Sequence, residues 1–210
     1  MKGAADGKFI VSDQVTPRDR YQLLTSLVVP RPIAWISSRS ASGVPNLAPF
    51  SYFAAIASTP FLIGISIANR RGIVKDSLRN IRETAVFCVN VVTERQMNAM
   101  NESSGEHPPE VDEFGVAGLQ MAEGELVGAP YVSDCPAVLE CRLQQEVQLD
   151  EAGNVFIIAE VVGVRISSEL ELEPGTHLVD PATLRPVARL GGDYYTLLGE
   201  LREMSRPIAL

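Results

Sequence analysis

Residues 69–82, NRRGIVKDSLRNIR, hold Arg70, Arg71, Lys75, Arg79 and Arg82 against a single acid, Asp76. The chain as a whole carries a net charge of −8, so a cluster of cations is out of keeping with its surroundings. In DSLRNIRETA, Leu78, Ile81 and Ala85 share one helical face, which predicts a short helix whose first turn lies inside the cluster. Amides at a helix N-terminus point outward unsatisfied, and the macrodipole attracts negative charge. Lys75 and the Ser77 hydroxyl at that point suit an anion such as a phosphate. A plainer reading fits the same residues: Asp76 or Ser77 caps the helix and the arginines form a solvated face.

A second stretch, NLAPFSYF at 46–53, follows the turn SASGVP. Pro49 lacks a backbone donor and is out of place in a central strand. Ser51 is small and polar between two aromatics. Either this is an edge strand with a kink, or its backbone and small polar groups face a ligand.

Other chemistries find little footing. Cys88, Cys135 and Cys141 are not spaced as metal or redox pairs, and His107 and His177 lie near no cysteine; no metal site is expected. No nucleophile has a recognisable local frame. No G-x-G-x-x-G occurs, so a nicotinamide has no dedicated Rossmann domain to occupy.

The elements that must position these residues read mainly as strands. Thr16 and Pro17 start an amphipathic helix carrying Tyr21, Leu24, Leu27 and Val28, and Pro30 and Pro32 end it. IAWISS, NLAPFSYFAAIA and FLIGISIA then read as three successive strands of an antiparallel meander. VFCVNVV is a fourth, apolar on both faces apart from Asn90. TERQMNAMNESS reads as a helix and EHPPEVDEF as an exposed, mobile excursion. AVLECRLQQEVQL and VFIIAEVVGVRI pair around the DEAGN turn. PVARLGGDYY precedes a final helical segment, TLLGELREM.

With 210 residues, 46% apolar and 21% charged, the chain is expected to form one domain over 1–210 with a substantial core. The acidic balance argues against a general binder of nucleic acid or anionic membrane. No apolar run reaches the length of about 18 residues that spans a bilayer, and the N-terminus lacks a signal-like apolar core. A soluble, cytoplasmic protein is expected. The 94–125 segment holds eight acids and only Arg95, which reads as a solvated face or a docking face for a partner.

VVPRPIAWISS, NLAPFSYF and RRGIVKDSLRNI, in that order and spacing, resemble the flavin reductase-like family of FMN-binding split barrels. The similarity is to the nitrilotriacetate monooxygenase component B branch and covers roughly residues 16–195. It implies a mainly β fold, an antiparallel, Greek-key-like split β-barrel with peripheral helices. It also implies a homodimer with FMN at or near the subunit interface. The function implied is an NAD(P)H:flavin oxidoreductase, using NADH or NADPH, that supplies reduced flavin or electrons to a partner such as an oxygenase. The alternative is a non-catalytic FMN-binding electron-transfer protein.

By the same resemblance, Arg31, Pro32, Ile33 and Ala34, with Asn46, Ala48, Pro49, Ser51, Tyr52 and Phe53, line the ring and ribityl chain. Ser66, Lys75 and Ser77 hold the ribityl and phosphate end, with Arg71 as a further candidate. Trp35 reads either as core or as a cofactor contact, and Arg31 as a surface residue or a flavin contact. Arg189–Tyr194, RLGGDY, reads as a C-terminal approach to the flavin across the dimer interface, or as a simple turn. No catalytic residue is assigned.

Overall fold

The computed structural model describes residues 7–69 and 72–207. Helix α1 (Pro17–Leu27) starts with a reciprocal cap: the Thr16 hydroxyl accepts the Asp19 amide and the Asp19 carboxylate accepts the Thr16 amide, both at 3.1 Å. Pro17 takes the first helical position, where its missing N–H costs nothing. Strands β1 (Arg31–Pro32), β2 (Ala34–Arg39), β3 (Pro45–Phe50), β4 (Phe53–Ser58) and β5 (Phe61–Ile67) follow. Next come α2 (Asp76–Thr84), β6 (Val86–Val91), α3 (Met97–Glu102) and α4 (Glu113–Val116). The chain continues through β7 (Met121–Glu123), β8 (Pro130–Val132), β9 (Ala137–Gln148) and β10 (Val155–Ile166). It ends with α5 (Pro181–Leu184), β11 (Ala188–Arg189) and β12 (Tyr195–Thr196).

Seven strands form one antiparallel sheet in the order β3-β2-β6-β9-β10-β5-β4. The expected three-strand meander is therefore corrected. NLAPFSYFAAIA is two strands, broken at Ser51-Tyr52, and its halves lie on opposite edges of the sheet. Pro49 pairs with Trp35 of β2, and β3 is an edge strand of the sheet among the described residues. An edge strand tolerates a residue that cannot donate. Because only Ser51 and Tyr52 separate the two edges, the sheet has to curl until they meet, which makes the split barrel. The Tyr52 carbonyl accepts the Ser66 amide at 2.8 Å and seals that corner.

Successive side chains of a strand point to opposite faces, and here both faces of the central strands are covered. Ala34, Ile36, Phe87 and Val89 point to one core with Ile63, Ile65, Leu78 and Ile157. Ile33, Trp35 and Cys88 point to a second core with Met100, Phe114 and Val132. Asn90, buried in this apolar strand, is satisfied: Nδ2 donates to the Trp35 carbonyl and the Ser37 hydroxyl at 2.9 Å, and Oδ1 accepts the Val132 amide at 2.8 Å. All three cysteines are free and buried. Among the described residues no helix is long and apolar enough to cross a membrane.

Two further expectations are corrected. The excursion 106–114 is anchored rather than loose: the Asp112 carboxylate accepts the Phe114 amide at 2.9 Å, and Glu113 and Phe114 are buried. The predicted terminal helix over TLLGELREM is absent. Tyr195–Thr196 pair as β12, and 197–207 run without regular structure, with Leu198, Leu201 and Met204 exposed. A short helix with no surface to pack against is marginal in water. α1 is also thinly covered by its own chain: only Thr25 is buried, while Tyr21, Leu24, Leu27 and Val28 face outward. Beside these, β4 leaves Ala54, Ala55 and Ile56 exposed.

Gly64 of β5 marks a close approach. A Cβ there would lie 2.2 Å from Cζ of Phe156 and 2.7 Å from Cδ1 of Ile56. Gly64→Ala is expected to destabilise the fold by about 1–3 kcal/mol through overpacking, read as a lower urea midpoint. An unchanged midpoint would contradict this packing.

Candidate functional site

Three clefts meet at the corner between β3 and β4. The first, about 380 Å³, lies between Asn46, Ala48 and Pro49 of β3, the start of α2 from Lys75 to Ser77, the 103–107 segment and Glu113. The second, about 190 Å³, is bounded by Arg31, Ile33, Pro49, Ser51 and Tyr52, and on the far side by Met100, Arg189 and Tyr195. The third, about 280 Å³, has Leu24, Ser51, Tyr52, Phe53, Ser66 and Phe156 on its walls. Pro49 and Ser104 are common to the first two, and Arg31, Ser51 and Tyr52 to the last two. The barrel-closing corner thus carries one continuous depression.

Most of the sequence-derived candidates come together here. Asn46, Ala48, Pro49, Lys75 and Ser77 line the first cleft, and Ser51, Tyr52, Phe53 and Ser66 the others. Two lie elsewhere. Ala34 is fully buried in the barrel core, where its side chain meets no cleft, and Pro32 is exposed in β1 opposite Ala188. Arg71, with Arg70, is outside the described residues. Trp35 resolves as core: it is fully buried and its Nε1 donates to the Ser103 hydroxyl at 2.9 Å.

Arg31 is not a surface residue, and it lines the second and third clefts. It is 7% exposed, and its guanidinium donates to the carbonyls of Thr25 and Val28 at 2.7 Å and of Leu190 at 2.9 Å. It therefore ties the last turn of α1 to the C-terminal loop, satisfying carbonyls a helix end leaves open. Its Cζ also sits 5.9 Å from the centre of the Tyr52 ring. The glycines of RLGGDY serve both a turn and a contact: Gly192 has φ +59°, and a Cβ on Gly191 would lie 3.1 Å from Cα of Ser26. Arg189, Leu190 and Gly192 of this loop line the second cleft, where Arg189 stacks 4.4 Å from the Tyr195 ring.

At the start of α2 the capping expectation is corrected. Lys75 is the N-cap, without a side-chain cap bond, and the Ser77 hydroxyl instead donates to Oδ1 of Asn46 at 2.7 Å. The first-turn amides of α2 thus lack a capping side chain. Lys75 lies 4.9 Å over the Phe50 ring, and Asp76 pairs with Arg79. Glu113, which sequence reasoning placed on an exposed excursion, is 6% exposed and accepts Nδ2 of Asn46 at 2.9 Å and the Leu47 amide at 3.1 Å. Burial pushes its carboxyl above the ordinary value, against these hydrogen bonds, which favour the charged form. Burial and the neighbouring Tyr21 likewise push the Tyr52 phenol up, with Arg31 opposing. The available signal for Glu113 was the pairing of a helix-capping Asp112 with an apolar Phe114, which marks an anchored turn.

Arg31→Lys removes the planar fork that reaches three carbonyls and is expected to cost about 2 kcal/mol of stability, measured by denaturant unfolding; a cost near zero would mean the clamp contributes nothing. Folded Glu113 holds its proton more tightly than the unfolded carboxyl at 4.5. Its stability contribution is therefore present below that value and is lost as pH rises through the raised folded value. The unfolding free energy of the wild type minus that of Glu113→Gln should fall across this window, and a flat difference would refute the shift.

The flavin reductase like domain family matches residues 26–183 of the chain. An uncharacterized protein of Halalkalibacterium halodurans is 36% identical over 200 residues, covering 93% of this chain and 94% of its own. Among solved structures, nitrilotriacetate monooxygenase component B from Bacillus cereus superposes with a TM-score of 0.90 at 32% identity, covering 96% of this chain and all of its own (100%). The 2-nitrobenzoate 2-nitroreductase of Pseudomonas fluorescens gives 0.86 at 26% identity, with 95% and 96% covered. With the family model matched over residues 26–183 and a 36% identical relative along nearly its whole length, the chain belongs to the flavin reductase-like family of split-barrel proteins.

Proposed function

We propose that the chain binds FMN in the corner depression and acts as an NAD(P)H:flavin oxidoreductase serving a partner oxygenase or another electron acceptor. One observation carries the reading: the barrel-closing corner brings an apolar wall, small hydroxyls and an uncapped helix N-terminus into one depression in a chain of this family. The residues fit such a group. Pro49, Tyr52, Phe53 and Phe156 offer flat apolar surface, and Ser51 and Ser66 place hydroxyls on the same wall. The α2 amides and Lys75 suit a phosphate. When bound, FMN would take two electrons from NADH or NADPH and pass them on.

The protein's part is to hold and orient. Arg31 fixes the Tyr52 side of the cleft by anchoring α1 and Leu190, and the open side of the depression leaves room for a nicotinamide. The outward apolar face of α1 and the bare strand β4 support a homodimer, with that face covered by a second copy. The chain acts as a single domain in this scheme.

The test is gel filtration of protein mixed with FMN, followed by anaerobic addition of NADH or NADPH. The expected result is flavin co-eluting at the mass of a dimer and bleaching with one nicotinamide. Bound flavin that stays oxidised with both would replace the reductase reading by an electron carrier. Ser51→Val and Lys75→Glu should each weaken FMN binding about tenfold. Arg95→Ala, which only breaks an exposed pair with Glu169 at 3.0 Å, should not. Equal retention by all three variants would overturn the placement.

A further inference from the structure

A groove of about 1150 Å³ lies between the segment before α1, α1 itself and the turn from Leu190 to Tyr194. Ile10, Val15, Val29 and Tyr194 give it largely apolar walls, and Lys8 and Arg18 also line it. Asp19 is the one acid there, and its carboxylate is taken by the Thr16 amide at 3.1 Å. Tyr21, Thr25, Leu190 and Gly192 line both this groove and the second cleft, so the two are continuous.

The same chain leaves a matching segment uncovered. Leu197, Leu198, Leu201 and Met204 stand at i, i+1, i+4 and i+7, which places them on one apolar stripe of a helix. Glu200 falls at one edge of that stripe and Arg202 at the other. Yet 197–207 have no regular structure, and Leu201 and Met204 are 54% and 89% exposed. Gly199 weakens an isolated helix further, so this segment needs a surface before it can coil. Its own groove lies in the wrong direction. In the β11–β12 hairpin Tyr195 pairs with Arg189 and Thr196 with Ala188, while the turn between the strands lines the groove. The chain beyond Thr196 therefore leaves from the open end of the hairpin, away from that turn.

We infer that two copies of this chain exchange their C-terminal segments, each docking 197–207 as a short amphipathic helix in the α1 groove of the other. The inference rests on the homodimer reading above and names what that dimer is made with. Leu197, Leu198, Leu201 and Met204 seat on the apolar walls, as in other helix-in-groove contacts. Glu200 at the edge of the stripe faces a groove with a surplus of positive charge from Lys8 and Arg18. The segment orders only as it binds, so the cost of coiling is met by the contact itself. A twofold axis lets both exchanges occur in one closed pair. Because the groove opens into the second cleft, the docked segment of one copy borders that cleft in the other.

Sedimentation equilibrium of the full chain gives the dimer dissociation constant. Leu201→Glu should raise it at least about tenfold, since each copy loses one buried leucine. A Cβ on Gly199 would meet no atom within 4 Å, so Gly199→Ala leaves the monomer intact. It should lower the constant about fivefold by favouring the docked helix. Far-ultraviolet circular dichroism should gain helix as the wild type dimerises. The exchange itself is read by mixing chains carrying Gln22→Cys, in the groove, with chains carrying Arg202→Cys, and adding a short bis-maleimide. The native cysteines are buried, and the expected product joins position 22 of one chain to position 202 of the other. No such link between chains, or a link formed only within the double variant, overturns the exchange. A dimer that Leu201→Glu and Gly199→Ala both leave unchanged assigns the groove to another occupant and overturns the inference, while the dimer stands. A wild type that stays monomeric at every concentration overturns the dimer reading and this inference with it.

Discussion

Two residues, Ser51 and Tyr52, join strands that lie at opposite edges of a seven-stranded sheet, and the rest of the structure follows from that constraint. A link this short allows no flat arrangement of the seven strands. The sheet curls, the edges meet, and the Tyr52 carbonyl takes the Ser66 amide across the seam. The seam is also where backbone pairing is incomplete, since a corner cannot satisfy both ladders. Clefts form where the pairing stops, and small residues such as Ser51 keep them open. Closing the barrel and making a site are one geometric event.

The polar interior is organised around the same seam. Ser38, Asn46, Ser77, Asn80 and Glu113 form a buried network linking β2, β3, α2 and α4. Such a network is favourable only when its members are mutually satisfied. The carboxylate supplies a direction that a chain of amides and hydroxyls by itself would lack. Asn80 is its incomplete member, with Oδ1 buried and without a hydrogen-bond partner among the described residues.

Much of this was legible in the sequence, for identifiable reasons. β-branched runs, capping residues and the turn at DEAGN act locally, so α1, β2, β5, β6 and the β9–β10 hairpin could be read directly. The break inside NLAPFSYFAAIA could be suspected from Pro49, but the separation of its halves to opposite edges is a property of the whole sheet. Glu113 looked like part of an acidic surface because charge patterning carries no information on burial. Its partners, Asn46 and Leu47, are far away in sequence. Arg31 was equally opaque: the clamp depends on Leu190, whose carbonyl lies 159 positions away. The terminal segment failed in the opposite direction, since Leu198, Leu201 and Met204 have helical spacing but no surface of this chain beneath them.

The reach of the Arg31 clamp bears on the order in which the molecule matures. Residues emerge from the ribosome in sequence, and α1, β2 and β3 are available early. The carbonyl of Leu190 and the side chains of Arg189 and Tyr195, which complete the second cleft, are made after every strand of the seven-stranded sheet. Contacts of such long sequence separation form late. Until then Arg31 has only its two bonds to the end of α1 and lacks the third, to Leu190. A ligand of this cleft therefore meets a complete wall only once residues 189–195 have been made and folded back.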